Sequence, residues 1–223
     1  MTSDGVRRCG AMREIETSRG LARTHLHAAP QPLGALVLGH GAGGGVAARD
    51  LLAVTQAALA RRFSVALVEQ PYRVAGRRAP PAAAQLDRAW IEVVAELCGA
   101  ELRGLPLVVG GRSAGARVAC RTAADTQAVG VLCLAFPLLR RPRADGAAAR
   151  SRIDELAAVS VPTLVIQGER DPFGIPPRGE RRTVVVVRGN HALTSDLEAV
   201  ARAAGEWLSA LAESSIPSSA APG

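Results

Sequence analysis

Lysine is absent from this 223-residue chain, and all 27 of its basic residues are arginine. The formal net charge of +7 raises the question of an acidic partner. The complete replacement of lysine, and the scatter of arginine doublets along the chain, are typical of a genome-wide codon preference and not of one basic patch. Aromatic residues are also few, with two Trp, one Tyr and three Phe, so stacking platforms for nucleic-acid bases are scarce. The composition therefore predicts no nucleic-acid partner.

Metal-binding cysteine pairs and long apolar segments are lacking as well. The four cysteines form no C-x-x-C pair and match no zinc-site spacing, so we expect small buried side chains and no metal. No N-terminal apolar run has the length of a signal peptide, and no stretch of about 18 apolar residues could span a bilayer. The sequence predicts a cytoplasmic protein without a membrane partner, and it leaves the oligomeric state open.

The length of the chain fits a single domain, and 48% hydrophobic residues can form a sizeable core. Residues 1–11 are polar and show no periodic pattern, so we expect a disordered extension there. Residues 213–223 are rich in Ser, Pro and Ala and are predicted to be a disordered tail. The folded domain is therefore expected over residues 12–212.

Strands and helices alternate along this domain. Polarity alternates in 13–18 and 21–28 around Arg19-Gly20, which predicts an antiparallel hairpin at a sheet edge. Further strands are predicted at 35–38, 64–68, 107–109, 129–135, 162–166 and 183–187, and helices at 47–61, 83–98, 114–124, 153–159 and 196–211. This order predicts an α/β fold with a mostly parallel, doubly wound sheet between helices. The loops that follow the strands should meet at one edge, and the connection over 136–161 is too short for a lid domain.

The sharpest local signal is G-x-S-x-G at residues 111–115, which follows a Val-rich strand and opens a helix. A serine at such a turn has a strained backbone and a projecting hydroxyl, so Ser113 is the candidate nucleophile. Ser113 also precedes a helix N-terminus, where the Ala114 N–H could stabilise a developing oxyanion. Alone, the five-residue pattern is equally compatible with a glycine-rich turn of no chemical role.

A serine hydroxyl needs a base to remove its proton and an acid to orient that base. His191 is the only histidine after Ser113 and follows the last predicted strand, so it is the candidate base. Asp171 is the candidate acid because it lies in a turn directly after a strand, and Glu169 is close enough to be a substitute. The alternative is that these are surface side chains.

The glycine-rich segment 39–45 allows two interpretations. As an oxyanion loop, it would let Gly41 and the Ala42 N–H approach a substrate closely. As a dinucleotide-binding turn, Gly39, Gly41 and Gly44 match G-x-G-x-x-G, and Glu69 would bind a ribose. The dinucleotide interpretation leaves the serine, aspartate and histidine unexplained, whereas the oxyanion interpretation uses all of these segments in one site.

With these motifs in place, the chain resembles the α/β-hydrolase superfamily over about residues 33–211. The resemblance rests on the order Ser113, Asp171, His191 and on H-G-A-G at 40–43, P-Y-R-V-A-G-R-R-A-P-P at 71–81, G-G-R-S-A-G-A-R-V-A at 110–119, Q-G-E-R-D-P-F-G at 167–174 and G-N-H at 189–191. It is similar to a small, lidless bacterial branch related to dienelactone hydrolases.

The resemblance implies a serine hydrolase that cleaves an ester-like bond of a small molecule without a metal or an organic cofactor. Ala42 and Ala114 would supply the oxyanion-binding amides, and Gly41 and Arg112 would contact the substrate. Arg112, with Arg73 and Arg77, could favour an ester that carries a carboxylate. The alternatives are a nicotinamide-dependent enzyme that uses the glycine-rich loop and a noncatalytic scaffold with the same fold.

Overall fold

The computed structural model describes residues 11–140 and 150–215. Eight strands are present in this part of the chain: β1 (Ala11–Thr17), β2 (Gly20–His27), β3 (Gly34–Gly39), β4 (Phe63–Glu69), β5 (Leu107–Arg112), β6 (Gly130–Leu134), β7 (Thr163–Gly168) and β8 (Arg182–Val187). The helices are α1 (Arg49–Ala60), α2 (Pro71–Val74), α3 (Ala83–Gly99), α4 (Ala114–Thr122), α5 (Ile153–Ala157) and α6 (Leu197–Ser215).

The strands form one sheet in the order β1-β2-β4-β3-β5-β6-β7-β8. Strands β3 to β8 are parallel, while β1 and β2 are antiparallel to their neighbours. The expected mostly parallel α/β sheet is thus confirmed, as is the hairpin at its edge. Because the six parallel strands all end at the same edge, the loops after β3, β5, β7 and β8 converge there.

Helices cover both faces of the sheet and bury two apolar clusters. On one face, α3 and α4 pack Trp90, Leu97 and Val118 against the sheet. On the other face, α1 and α6 contribute Leu51 and Leu208 to the second cluster. Strands β3 to β7 are buried along nearly their whole length, because both of their faces are covered.

The predicted element boundaries differ from the observed ones at both ends of the domain. Strand β1 already includes Ala11, and α6 continues to Ser215, which places residues 213–215 in a helix instead of a tail. The remainder of the extension and the tail predicted for 1–11 and 213–223 lies outside the described residues. Helix α2 lies between the strand predicted at 64–68 and the helix predicted at 83–98, where the sequence predicts no further element. Pro71 at its first position starts this short helical turn.

Between β6 and β7, the described residues contain only the short helix α5 and a single bridge that pairs Leu139 with Ser151. No lid domain is present in this part of the connection. Among residues 11–140 and 150–215, no helix has both the length and the apolar character needed to cross a bilayer.

Two buried thiols face each other between α4 and β6. The Sγ atoms of Cys120 and Cys133 lie 3.5 Å apart, and neither residue forms a disulfide. The hydrogen-bonding contact with Cys120, together with complete burial, raises the pKa of Cys133 well above its ordinary value. Both side chains therefore act as small core residues, as their spacing in the sequence suggested.

Candidate active site

Ser113 lies at a sharp turn between β5 and α4, with φ +53° and ψ −107°. Its N–H donates to the Leu134 carbonyl at 2.9 Å, which fixes the turn to β6. A Cβ atom on Gly115 would overlap the Gly39 carbonyl, so only glycine allows α4 to approach the end of β3 this closely. The local sequence therefore produces a tight turn with Ser113 half-buried at its tip.

The structure brings Ser113, His191 and Asp171 into one hydrogen-bonded chain. His191 Nε2 lies 3.0 Å from Ser113 Oγ, and His191 Nδ1 donates to Asp171 Oδ2 at 2.8 Å. The three residues follow β5, β8 and β7 respectively, so the convergence depends on the parallel sheet. The Asp171 side chain is completely buried, whereas the histidine side chain is 20% exposed.

Three donors satisfy the buried Asp171 carboxylate. Besides His191, the Gln167 side-chain amide donates to Oδ2 at 2.8 Å and the Phe173 N–H donates to Oδ1 at 2.9 Å. Glu169, the alternative acid, instead lies 3.7 Å from Arg170 with its side chain 47% exposed. Of the two carboxylates that the sequence left open, only Asp171 contacts His191.

Gln167 and Phe173 were not identified from the sequence. The Gln167 amide also donates to the Phe136 and Gly174 carbonyls, at 3.1 and 2.9 Å. It therefore joins the end of β7 to the loop after β6 and to the loop that carries Asp171. The Phe173 ring packs edge-on against the His191 imidazole, with a centroid separation of 4.6 Å. A buried glutamine at the end of an apolar strand was the one available signal for the role of Gln167.

The glycine-rich loop after β3 lies beside Ser113. A Cβ atom on Gly41 would be 3.6 Å from Ser113 Cβ, which places the Gly41-Ala42 backbone next to the serine. Among the described residues, none accepts a hydrogen bond from the Ala42 or the Ala114 N–H. Both amides predicted for the oxyanion hole therefore lack an acceptor within residues 11–140 and 150–215.

Tyr72 of α2 and His40 of the glycine-rich loop hold the Gly41-Ala42 backbone in place. The Tyr72 hydroxyl donates to the Ala42 carbonyl at 2.9 Å, and His40 Nδ1 donates to the Gly41 carbonyl at 2.8 Å. His40 Nε2 accepts the Gln70 N–H at 3.1 Å, so the imidazole is neutral. Burial lowers the pKa of His40 and favours the same state.

The expected contact of Arg112 with a substrate is not favoured by the structure. Its Nε donates to the buried Asp50 carboxylate at 2.9 Å, and its Nη2 donates to the His191 carbonyl at 3.1 Å. Arg73 donates to the Arg77 carbonyl at 3.2 Å. Two of the three guanidinium nitrogens of the arginine nearest to the nucleophile thus donate to protein groups.

The geometry also disfavours dinucleotide binding. Helix α1 begins only at Arg49, five residues after Gly44, whereas the dinucleotide motif opens directly into a helix. Glu69 faces the neighbouring strand, where its carboxylate lies 3.4 Å from His25 Nε2 and 3.8 Å from Arg23 Nη1. In the described part of the chain, no three His, Cys, Asp or Glu side chains cluster as metal ligands would.

Comparison with solved structures shows the same fold in several bacterial proteins. Est1E from Butyrivibrio proteoclasticus matches with a TM-score of 0.72 and 14% identity, over 91% of this chain and 98% of that one. XC6422 from Xanthomonas campestris, described as a serine hydrolase without a lid, matches with a TM-score of 0.65 and 16% identity, over 91% and 96%. A dienelactone hydrolase from Anabaena variabilis has a TM-score of 0.68 and 16% identity, over 89% and 96%.

At these identities, the similarity is one of fold. No sequence among curated proteins matches the chain significantly. A family model described as an alpha/beta hydrolase domain matches residues 33–196, which is most of the described chain and includes the turn at Ser113, Asp171 and His191. The chain belongs to the α/β-hydrolase domain family.

Proposed function

We propose that this protein is a serine hydrolase that cleaves an ester-like bond of a small molecule through an acyl-enzyme. The observation that carries the proposal is the continuous chain of hydrogen bonds from Ser113 Oγ through His191 to the buried Asp171. Side chains from three separate strand ends meet there with the geometry that proton transfer from a serine requires.

In the first half of the reaction, His191 Nε2 accepts the Ser113 proton while Oγ attacks the carbonyl carbon of the ester. Asp171 accepts the Nδ1–H and thereby keeps the lone pair of Nε2 directed at the serine. Collapse of the tetrahedral intermediate breaks the bond to the leaving oxygen. That oxygen takes the proton from Nε2 and departs as the alcohol.

The negative charge of the tetrahedral intermediate is stabilised by the Ala42 and Ala114 amides. Both lie next to Ser113 and have no acceptor among the described residues, so they are available to a substrate oxygen. The N-terminus of α4, which begins at Ala114, adds the favourable end of a helix dipole. Gly41 keeps this approach free of a side chain.

In the second half, His191 Nε2 removes a proton from water as the water oxygen attacks the acyl carbon. The bond between that carbon and Ser113 Oγ then breaks, Oγ takes the proton from Nε2, and the carboxylic acid leaves. Neither half-reaction uses a metal or an organic cofactor. The ester class is supported by the similar structures, which include a dienelactone hydrolase and the esterase domain of a Rhodothermus marinus protein.

The proposal is tested with a fluorophosphonate, which reacts covalently with an activated serine. Mass spectrometry is expected to locate one adduct at Ser113, and the Ser113→Ala variant should carry none. Hydrolysis of p-nitrophenyl acetate should be lost in the same variant. An unmodified Ser113 and no ester hydrolysis in the folded wild-type protein would indicate a noncatalytic scaffold instead.

A further inference from the structure

We propose that Arg112 and Asp50 form a positioning pair that holds the His191 loop and the oxyanion loop in register with Ser113. The role rests on the proposed hydrolase function, because it concerns the base of that reaction. Neither residue touches the reacting atoms. Arg112 acts through the backbone of His191, and Asp50 acts through the side chain of Arg112.

The Arg112 guanidinium joins parts of the site that are far apart in the sequence. Arg112 is the last residue of β5 and directly precedes the nucleophile, and its side chain is only 18% exposed. Through Nε it donates to Asp50, and through Nη2 it donates to the backbone carbonyl of His191. The planar, fixed fork of arginine suits two acceptors at once, which a lysine ammonium matches poorly.

The oxyanion loop packs against the same guanidinium. A Cβ atom on Gly41 would come within 2.9 Å of Arg112 Nη1, so the loop backbone at Gly41 lies close to the guanidinium. One side chain therefore borders the nucleophile turn, the histidine loop and the oxyanion loop. Movement of the guanidinium would change the relative positions of all three.

Asp50 fixes the position of Arg112. It lies in the first turn of α1 with 1% exposure, and its Oδ1 accepts the Leu51 N–H at 2.9 Å. Burial raises the pKa of this carboxyl, while the Arg112 charge opposes that shift. Replacement of a buried ion pair by apolar residues is often neutral or stabilising, so stability alone does not account for this pair.

Loss of the Arg112 fork would free the His191 carbonyl and allow the imidazole to move relative to Ser113 Oγ. A displacement of about 1 Å can cost roughly a hundredfold in rate. We therefore expect Arg112→Met to lower kcat by about tenfold to a hundredfold with little change in KM. The rate of fluorophosphonate labelling should fall in parallel.

The single variant Arg112→Met leaves the Asp50 carboxylate buried without its ion-pair partner, which can itself destabilise the protein. The double variant Asp50→Asn/Arg112→Met removes both charges and keeps an oxygen for the Leu51 N–H. Its unfolding midpoint should recover toward the wild-type value while its kcat stays low. A structural pair without a positioning role would instead recover activity together with stability.

Arg121→Met is the matched control. Arg121 has a side-chain exposure of 19% and forms a two-point ion pair with Asp87, with distances of 2.8 and 2.6 Å, on the same helix that follows Ser113. Its replacement removes an arginine of comparable exposure that binds Asp87 and Glu155 and makes no hydrogen bond to the His191 loop or the oxyanion loop. We expect a lower unfolding midpoint with unchanged kcat and labelling rate.

Hydrogen exchange of the peptide over residues 188–193 gives a readout that does not depend on catalysis. Exchange should be faster in Arg112→Met and in the double variant than in the wild type and in Arg121→Met. Wild-type protein that is not labelled at Ser113 would contradict the proposed function, and the exchange data would still decide the positioning role. Normal labelling and normal exchange in the double variant would overturn the positioning role alone.

Discussion

At the scale of single residues, the backbone of Ser113 is strained, and contacts with neighbouring elements offset the strain energy. A φ of +53° combined with a ψ of −107° is a region in which a side chain is strained, and such strain amounts to about 1–3 kcal/mol. The hydrogen bond to Leu134 and the close approach of α4 to β3 hold the turn in place. In this backbone conformation the Ser113 hydroxyl points out of the turn, within hydrogen-bonding distance of the His191 imidazole.

This strain predicts an unusual order of stability. Ser113→Gly should be more stable than Ser113→Ala by about 1–2 kcal/mol in urea unfolding, because glycine adopts the observed backbone angles without a steric penalty. The control is the same pair of substitutions at Ser209 in α6. There, Ser209→Gly should be about 1 kcal/mol less stable than Ser209→Ala, because glycine is a poor helix former. Equal stabilities of the two Ser113 variants would show that the turn is unstrained.

The assignment of the acid predicts a difference between two nearby carboxylates. Asp171→Asn should lower kcat by about 10²–10⁴-fold, because an amide cannot hold the imidazole in the tautomer that accepts the serine proton. Glu169→Gln should leave kcat unchanged, since Glu169 lies in solvent beside Arg170. The measurement is steady-state hydrolysis of an ester. A larger loss in Glu169→Gln would reverse the assignment.

His40 predicts a dependence of stability on pH. Because burial lowers its pKa, the unfolded chain binds a proton near pH 6.5 that the folded chain does not yet bind. Stability should therefore fall as the pH drops below about 6.5, by at most about 1.4 kcal/mol per pH unit from this group. Protonation would place an N–H of the imidazole against the Gln70 N–H, which also donates.

The check is urea unfolding of the wild type and His40→Gln between pH 8 and pH 5. The stability advantage of the wild type should shrink in acid. The pKa of His27 is also lowered, mainly by burial, so His27→Gln measures the contribution of a second histidine with the same sign. An advantage of the wild type over His40→Gln that is constant across this range would contradict the prediction.

At the scale of elements, the contact between α4 and the end of β3 places the nucleophile beside the oxyanion loop. Gly115 allows this close approach, because an added Cβ would overlap the Gly39 carbonyl and approach the His40 carbonyl at 2.9 Å. These are backbone atoms, so the helix itself would have to move. Such a movement would separate Ser113 from Gly41 and Ala42.

Gly115→Ala is therefore expected to destabilise the protein by about 1–3 kcal/mol and to abolish labelling of Ser113. Gly99 in α3 is the control, since a Cβ atom there would meet open space. Gly99→Ala should be neutral or stabilise by up to about 1 kcal/mol and keep full labelling. Chemical denaturation and fluorophosphonate labelling measure both effects. Full labelling of Gly115→Ala would show that the helix accommodates the methyl group.

Elements and their order could be predicted from the sequence to a large extent. Continuous Val- and Leu-rich strands alternate with amphipathic helices. This pattern distinguishes a parallel sheet from an antiparallel one without any tertiary information. Helix α2 was missed because four residues are too few for a periodic pattern, even with Pro71 at its start. The late helix end at Ser215 reflects the good helix-forming residues that precede the Ser- and Pro-rich segment.

The candidate site could be predicted only where local sequence marks it. The glycines around Ser113 and the strand-end positions of Asp171 and His191 are local signals. The partners of Arg112 are not, because they depend on how α1 and the His191 loop pack onto β5. For Asp50, the only hint was an acidic residue on the buried face of an apolar helix.

At the scale of the whole molecule, the site depends on one intact sheet. The serine, the aspartate and the histidine follow three different strands, and the second apolar cluster packs α1 and α6 against the same sheet. No ligand set for a metal occurs within residues 11–140 and 150–215. The proposed chemistry is assigned to the Ser113 hydroxyl, the His191 imidazole and the Asp171 carboxylate.

Dialysis against EDTA should accordingly leave the rate of ester hydrolysis unchanged, and added Mg²⁺, Ca²⁺ or Zn²⁺ should not raise it. The comparison is made on wild-type protein at one pH, with the total metal content of each sample measured. A loss of rate on dialysis that the return of one metal reverses would show that the mechanism is incomplete.

The buried thiols of Cys120 in α4 and Cys133 in β6 allow the opening of the core to be measured in native buffer. Because contact with Cys120 and burial keep Cys133 protonated, a maleimide can react with it only in molecules whose α4 has separated from β6. The speed at which maleimide modifies Cys133 would report how often this interior becomes exposed. Ligands that occupy the neighbouring serine site should slow that reaction in proportion to their affinity.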